Sequence, residues 1–197
     1  MRVLIACEFS GVVRRAFASL GHEAVSCDLL AADDSSSDHI QGDIFDLLNH
    51  NSEWDLMIAH PPCTDLAVSG AKWFKDKQAD GRQQQSIEFF MKLINAPIGR
   101  IAVENPIGIM SRLYQKPDQI IQPWQFGHPE SKSTCLWLSG LPLLQPTEVL
   151  SLPDSGRWVN QTPSGQNKLG PSADRWKLRS ITYQGIADAM ASQWGAL

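Results

Sequence analysis

Short apolar runs and stretches of helical periodicity alternate along the first hundred residues. Val3-Leu4-Ile5-Ala6 is a continuous apolar run of the kind a strand buried on both faces produces, and a glycine turn and a helix-length segment, Val12 to Leu20, follow it. Gly21 stands where a helix takes a left-handed closing residue, and Glu23 to Asp28 supplies a second strand that ends on an acid. Leu56-Met57-Ile58-Ala59 and Ile101-Ala102-Val103 repeat the pattern of a short apolar strand running into a polar motif. Between them, Ile87, Phe90, Met91 and Ile94 recur at helical spacing, which predicts a helix over Gln83 to Leu93 stopped by Asn95-Ala96-Pro97. Strands recurring between helices predict an α/β fold: a mostly parallel central sheet with helices on both faces. From Pro142 to Asp174 prolines, serines and glycines replace periodicity, so a long irregular loop region is expected there. Ile186, Ala189, Met190 and Trp194 restore helical spacing and predict a final helix packed back on the sheet.

Composition narrows the picture. With 197 residues, 43% of them hydrophobic and 19% charged, one domain spanning residues 1–197 is expected to bury a full core without staples. The formal net charge of -4 argues against a general polyanion-coating protein and leaves a local basic face open. Cys7, Cys27, Cys63 and Cys135 form no C-x-x-C pair and have no histidine at zinc-ligand spacing, so neither a structural metal nor a disulfide framework is expected. Free thiols suit a reducing cytoplasm, and no stretch approaches the roughly 20 apolar residues of a membrane span. A cytoplasmic protein is the expectation.

In open α/β sheets ligands collect at the carboxyl ends of the strands, so chemistry is sought just after each apolar run. After the first stands Cys7-Glu8-Phe9-Ser10-Gly11, where small residues let a backbone approach a ligand and start a helix whose amide end can face it. A full G-x-G-x-x-G phosphate cradle is absent, which disfavours a dinucleotide. Asp28 ends the second strand seventeen positions after Gly11, where a carboxylate can accept both hydroxyls of a ribose. Asp43, in Gly42-Asp43-Ile44, can accept a hydrogen bond from an exocyclic amine such as that of adenine. Each acid alone is more often a solvated turn residue or helix cap. Together they favour an adenosine-bearing ligand.

The third strand runs into His60-Pro61-Pro62-Cys63. Paired prolines fix the backbone past a buried strand and present the cysteine on a loop where a thiolate can reach a substrate, against the usual role of a cysteine as a packed core residue. Glu104-Asn105-Pro106 places a carboxylate at the end of another core strand, where burial would raise its pKa and let it donate a proton.

These segments resemble the ordered motifs of the cytosine-5 DNA methyltransferase family. Phe9-Ser10-Gly11 is similar to that family's cofactor turn, Asp28 to its ribose-binding acid, Gly42-Asp43-Ile44 to its adenine-side motif, Pro62-Cys63 to its nucleophile dipeptide and Glu104-Asn105 to its Glu-Asn pair. The resemblance covers residues 1 to 110. It implies the Rossmann-like fold of class I S-adenosylmethionine-dependent methyltransferases, with S-adenosylmethionine held by Phe9, Ser10, Gly11, Asp28, Asp43 and Pro61. It further implies transfer of a methyl or related one-carbon group to carbon 5 of cytosine, with Cys63 as nucleophile and Glu104 as its acid partner, and Asn105 fixing the loop.

Beyond residue 110 the match loosens. The family's Gln-x-Arg-x-Arg string is missing, and Lys132, within Phe126 to Thr134, is the candidate cationic donor to the cytosine carbonyl. Arg175 to Ser180 with Tyr183 to Ala187 resembles the family's last motif. Only about 40 residues separate Thr134 from that stretch, too few for a full target-recognition region, as in a small, phage-like member. Two basic groups remain as candidate nucleic-acid contacts: Lys72, Lys75, Lys77 and Arg82 beside Trp73 and Phe74, and a late group that includes Lys177 and Arg179. Cations interleaved with aromatics suit DNA as a single strand or loosely specified duplex, and equally a solvated face. Two alternatives stand beside the covalent reading. An exocyclic-amine DNA methyltransferase would carry an aromatic residue where Cys63 stands, and an idle nucleic-acid-binding module would form no covalent adduct.

Overall fold

A computed structural model describes residues 1–49 and 53–197. The chain runs β1 (Arg2–Ala6), α1 (Val12–Ser19), β2 (Glu23–Asp28), β3 (His39–Gln41), α2 (Ile44–Asn49) and β4 (Leu56–Ala59). It continues through α3 (Phe74–Ala79), α4 (Arg82–Ile94), β5 (Ile101–Pro106), α5 (Met110–Leu113), β6 (Gln119–Ile121), β7 (Thr134–Ser139), α6 (Arg175–Ser180) and α7 (Gln184–Trp194). Two 3-10 turns, Val68–Trp73 and Pro123–Gln125, lie between them.

All seven strands share one sheet in the order β3-β2-β1-β4-β5-β7-β6. The first five are parallel; β7 runs antiparallel to β5, and β6 runs antiparallel to β7, so β6 points with the majority. This is the Rossmann-like α/β class expected: a mostly parallel sheet with helices on both faces. The period-2 alternation of strand side chains builds two cores. Val3, Ile5, Leu56 and Ile58 pack on one face with Phe17 of α1 and Trp194 of α7, whereas Leu4, Met57, Ala59 and Val103 pack on the other with Phe90 of α4. Phe17, Phe90 and Trp194 are fully buried, each contributing about 1.5–3 kcal/mol of transfer free energy against the exposed state. Gly21 closes the turn after α1 at φ 84°, the left-handed conformation expected of it.

Three helical details differ from the pattern. Helix α1 ends at Ser19, one residue before the expected Leu20. In α4, Ile87 and Met91 are only partly covered, and the buried positions are Gln83, Phe90, Leu93 and Ile94. Residues 140–174 contain no helix or strand, but Trp158 stacks on Trp124 with ring planes 3° apart and centroids 5.7 Å apart, which fastens that segment to the turn before β7. Among the described residues no helix is long and apolar enough to cross a membrane.

Strand order reverses between β1 and β4, so connections leave these neighbours towards opposite faces and open a crevice beyond their carboxyl ends. Glu8 follows β1 at that point and His60 follows β4. The backbone N–H of His60 donates to the Ala6 carbonyl at 2.9 Å, which carries the pairing of the two strands into the crevice.

Candidate active site

The loop after β4 is held from below and from both sides. Pro61 is buried, and its carbonyl accepts a 2.9 Å hydrogen bond from the side-chain amide of Asn105, itself 2% exposed at the end of β5. The Cys63 carbonyl accepts the backbone N–H groups of Leu66 and Ala67 at 3.0 and 2.9 Å, turning the chain so that the half-buried thiol stands at the bend. Gly108 lets the chain after β5 close on this turn: a Cβ there would lie 2.5 Å from the Leu66 carbonyl oxygen. Lys77 of α3, buried, donates to the Thr64 carbonyl and places its ammonium 3.2 Å from Asp65 Oδ1, a charge contact rather than an aligned hydrogen bond. Gln83 and Ser86 of α4 donate to the Asp65 carbonyl and to Asp65 Oδ2 at 3.1 and 3.3 Å.

Glu104 sits on β5 beside this loop, and its Oε2 lies 2.9 Å from His60 Nδ1. Side chains of His60 and Glu104 are 11% and 13% exposed. Burial pushes the Glu104 carboxyl up, but the hydrogen bond and charge of His60, with the more distant Lys132, outweigh it and hold the group below its ordinary range. Burial likewise opposes charge on His60, and the hydrogen bond and charge of Glu104, helped by Glu8, outweigh it and hold the imidazole above its ordinary value. The expected effect of burial on Glu104 is present, but the contact with His60 outweighs it, so the expected net rise is corrected to a net fall. The carboxyl is not alone in an apolar wall: its hydrogen bond to His60 favours a carboxylate beside an imidazolium.

Cys63 lies in the same electrostatic neighbourhood. Burial and then the Glu104 carboxylate push its thiol pKa up, while Lys132 and Arg179 pull it down. Lys132 comes from the segment before β7: its Nζ lies over the Tyr183 ring at 5.8 Å and 3.5 Å from the Ile181 carbonyl. Arg179 belongs to α6 and is exposed. These two cations thus act on the thiol from the segment before β7 and from α6. The early basic group divides: Lys77 is committed to the loop, Arg82 pairs with Asp80 at 2.7 Å, and exposed Lys72 lies over the ring of Trp73 at 4.8 Å.

The turn after β1 is built differently from the expectation. Cys7 adopts φ 60°, and the backbone N–H groups of Cys7 and Glu8 both reach the Cys27 carbonyl, at 2.7 and 3.3 Å. This reversal sends the buried Glu8 side chain onto the start of α1, where Oε1 accepts the Val13 N–H at 2.7 Å and Oε2 the Arg14 N–H at 3.2 Å. Helix α1 therefore presents a carboxylate where a free amide end was expected. Ser10 is buried with its Oγ 3.4 Å from Glu8 Oε1. Gly11 has φ 68°, and the space a Cβ would take is filled by Arg14, Arg15 and Asp34. Phe9 is buried beneath α6, edge-on to Trp176 at 6.3 Å, with Lys177 Nζ 5.0 Å from its ring centroid and paired to Asp33 at 2.7 Å. Asp28 stands half-buried at the end of β2; burial raises its pKa, and Oδ1 accepts the Leu30 N–H at 2.9 Å. Asp43 is exposed and takes the Phe45 N–H at 2.9 Å, as the helix-cap reading has it.

This donor set discriminates between nucleotides. Glu8 occupies the amide end of α1 that a phosphate would otherwise take, and the half-buried carboxylate of Asp28 can accept ribose hydroxyls. The residues present therefore fit S-adenosylmethionine better than a dinucleotide. Among the described residues no group of His, Cys, Asp and Glu is arranged to hold a metal ion.

Sequence reasoning missed Glu8, His60 and Lys77 as working members of this site. Glu8 carried a signal, an acid four residues before the first helical position. His60 carried only its place at a strand end, and Lys77 looked like one more surface cation.

No protein-family model matches the chain, and no curated protein matches it. Among solved structures, it is similar to a chain from E. coli described provisionally as a DNA modification methyltransferase encoded within a prophage, at 17% identity and a TM-score of 0.48. The match covers 76% of this chain and 52% of the other, so the chain spans about half the length of that relative.

Proposed function

We propose that the protein transfers a methyl or related one-carbon group from S-adenosylmethionine to carbon 5 of cytosine in DNA, through a covalent adduct on Cys63. The observation that carries this reading is the placement of Cys63 on the loop after β4 and of Glu104 on the adjacent parallel strand β5, with the thiol inside the fields of Glu104, Lys132 and Arg179. A cysteine at that place serves nucleophilic attack, and cannot stack on a base as an amino methyltransferase requires.

Attack of the Cys63 sulfur on carbon 6 forms an S–C6 bond. The C5–C6 π pair moves into a C4–C5 double bond, and the C4–N3 pair settles on ring nitrogen 3, which receives a proton from Glu104. Carbon 5, now an enamine carbon, can take up a methyl cation equivalent. Return of the nitrogen 3 proton, loss of the carbon 5 proton to a base and cleavage of the S–C6 bond complete the turnover. Bound S-adenosylmethionine supplies the electrophilic methyl. Asp28 would accept its ribose hydroxyls, Asp43 its adenine amine, and Phe9, Ser10, Gly11 and Pro61 would line its path. Lys132 and Arg179 lower the cost of the thiolate and offer cationic donors to the cytosine carbonyl; Asn105 holds the Pro61 carbonyl and so the loop. DNA as a single strand or loosely specified duplex is the substrate this reading favours, since no helix or strand between residues 140 and 174 supplies a large reading surface.

The test is incubation with labelled S-adenosylmethionine and single- or double-stranded DNA, followed by nucleoside analysis. Label in 5-substituted cytosine is expected; label on an exocyclic amine would replace this reading by the amino-methyltransferase one. Asp28→Ala should weaken S-adenosylmethionine binding by roughly tenfold to a hundredfold, the loss of a charged hydrogen-bond acceptor, and calorimetry showing normal affinity would remove the ribose assignment.

A further inference from the structure

We propose that His60 is the positioning residue of Glu104: its imidazole stores the proton that the Glu104 carboxyl gives to ring nitrogen 3 of the cytosine. This role rests on the methyl-transfer reading above.

Three observations carry it. His60 Nδ1 is 2.9 Å from Glu104 Oε2, and the pair joins the ends of two adjacent parallel strands, so the contact is fixed by the sheet. His60 Nε2 is buried and has no hydrogen-bond partner among the described residues. The ring's side-chain hydrogen bonding among the described residues is therefore directed at Glu104 alone. The charged groups around the ring also favour the imidazolium: Glu104 from β5 and Glu8 from the turn after β1 stabilise it, Lys132 from the segment before β7 opposes it, and Asp28 at the end of β2 lies within its field.

The arrangement solves a difficulty in the acid step. An ionised Glu104 has no proton to give. Paired with His60, the carboxylate and imidazolium together hold one proton that can cross the hydrogen bond. As Cys63 attacks carbon 6 and electron density reaches nitrogen 3, the Nδ1 proton crosses to Oε2, the carboxyl so formed gives a proton to nitrogen 3, and a carboxylate and a neutral imidazole remain. The reverse shifts restore the pair when nitrogen 3 is deprotonated. No oxidant or other co-reactant is required.

Two measurements on the full chain test this. In an NMR titration of the protein alone, the His60 imidazole should titrate above 6.5, its ordinary value, and move down in Glu104→Gln. A titration at or below 6.5, or one unmoved by Glu104→Gln, overturns the proposal whatever the activity. In single-turnover methyl transfer, the wild-type pH profile should break where that imidazole titrates. His60→Gln keeps a side-chain donor but no stored proton, so that break should disappear and the neutral-pH rate should fall about tenfold or more. An unchanged break, or the same loss at every pH, makes His60 merely structural; His60→Asn supplies the comparison if the glutamine variant fails to fold. Wild-type protein that forms no 5-substituted cytosine overturns the methyl-transfer reading and this role with it, and is distinguished by the wild-type control.

Discussion

Cys63→Ser should abolish transfer to carbon 5 of cytosine while leaving the fold and S-adenosylmethionine affinity intact. Serine preserves the size of the side chain and the turn, whose hydrogen bonds run through the Cys63 carbonyl and not its sulfur. It removes the nucleophile, because an alkoxide is far harder to form than a thiolate in this partly buried place. Removing the nucleophile from an enzyme that works through a covalent intermediate costs on the order of 10⁶-fold in rate. Single-turnover transfer of labelled methyl measures this. Full activity in Cys63→Ser would transfer support to direct attack by an exocyclic amine. The environment of Cys63 also predicts the direction of its pH dependence: burial and Glu104 raise the thiol pKa, so the rate contributed by the thiolate grows with rising pH.

Glu104→Gln should slow methyl transfer by about 10²–10⁴-fold, the range for a general acid, with S-adenosylmethionine affinity little changed. Equal losses of rate and cofactor affinity would give Glu104 a structural role instead. The substitution also changes stability in a pH-dependent way. Glu104 titrates below its ordinary 4.5 in the folded protein, so its stabilising contribution is present above that pH and fades as pH falls through the folded value. His60 titrates above its ordinary 6.5, so its contribution is complete below 6.5 and is lost as pH rises through the folded value. The buried ion pair therefore stabilises most fully between pH 4.5 and 6.5. Denaturant unfolding across that window should show the largest deficit of Glu104→Gln inside it and a smaller one on either side.

Much of the scaffold was legible because parallel strands announce themselves. Val3 to Ala6 and Leu56 to Ala59 are buried on both faces, so no polar residue interrupts them, and both strands end within a residue of the expected place. Strand β7 was hidden by the polar segment that leads into it, and β6 is only three residues long, too short for any period to show. At the site, motif order put Cys63 and Glu104 on successive strands, and those strands, β4 and β5, lie side by side in the sheet. What a linear pattern could not carry was the pairing. His60 and Glu104 are 44 residues apart, and nothing local to either says which way its side chain turns. The same holds for Lys77, which sits among exposed cations and aromatics yet turns inward to the Thr64 carbonyl. Glu8 was the most readable omission, since an acid placed ahead of a helix start is a recurrent way to satisfy free amides, and it fills the amide end of α1.

The central claim is a bond between one sulfur and one ring carbon, and it can be trapped. In 5-fluorocytosine the proton that must leave carbon 5 is replaced by fluorine, so elimination stalls after methyl transfer and the Cys63 adduct persists. Incubation of the wild-type protein with S-adenosylmethionine and fluorocytosine DNA, single- and double-stranded, followed by a denaturing gel, should give a stable protein–DNA species that requires the cofactor and is missing in Cys63→Ala. No such species from an active wild-type protein, or an adduct undiminished in Cys63→Ala, would contradict the account.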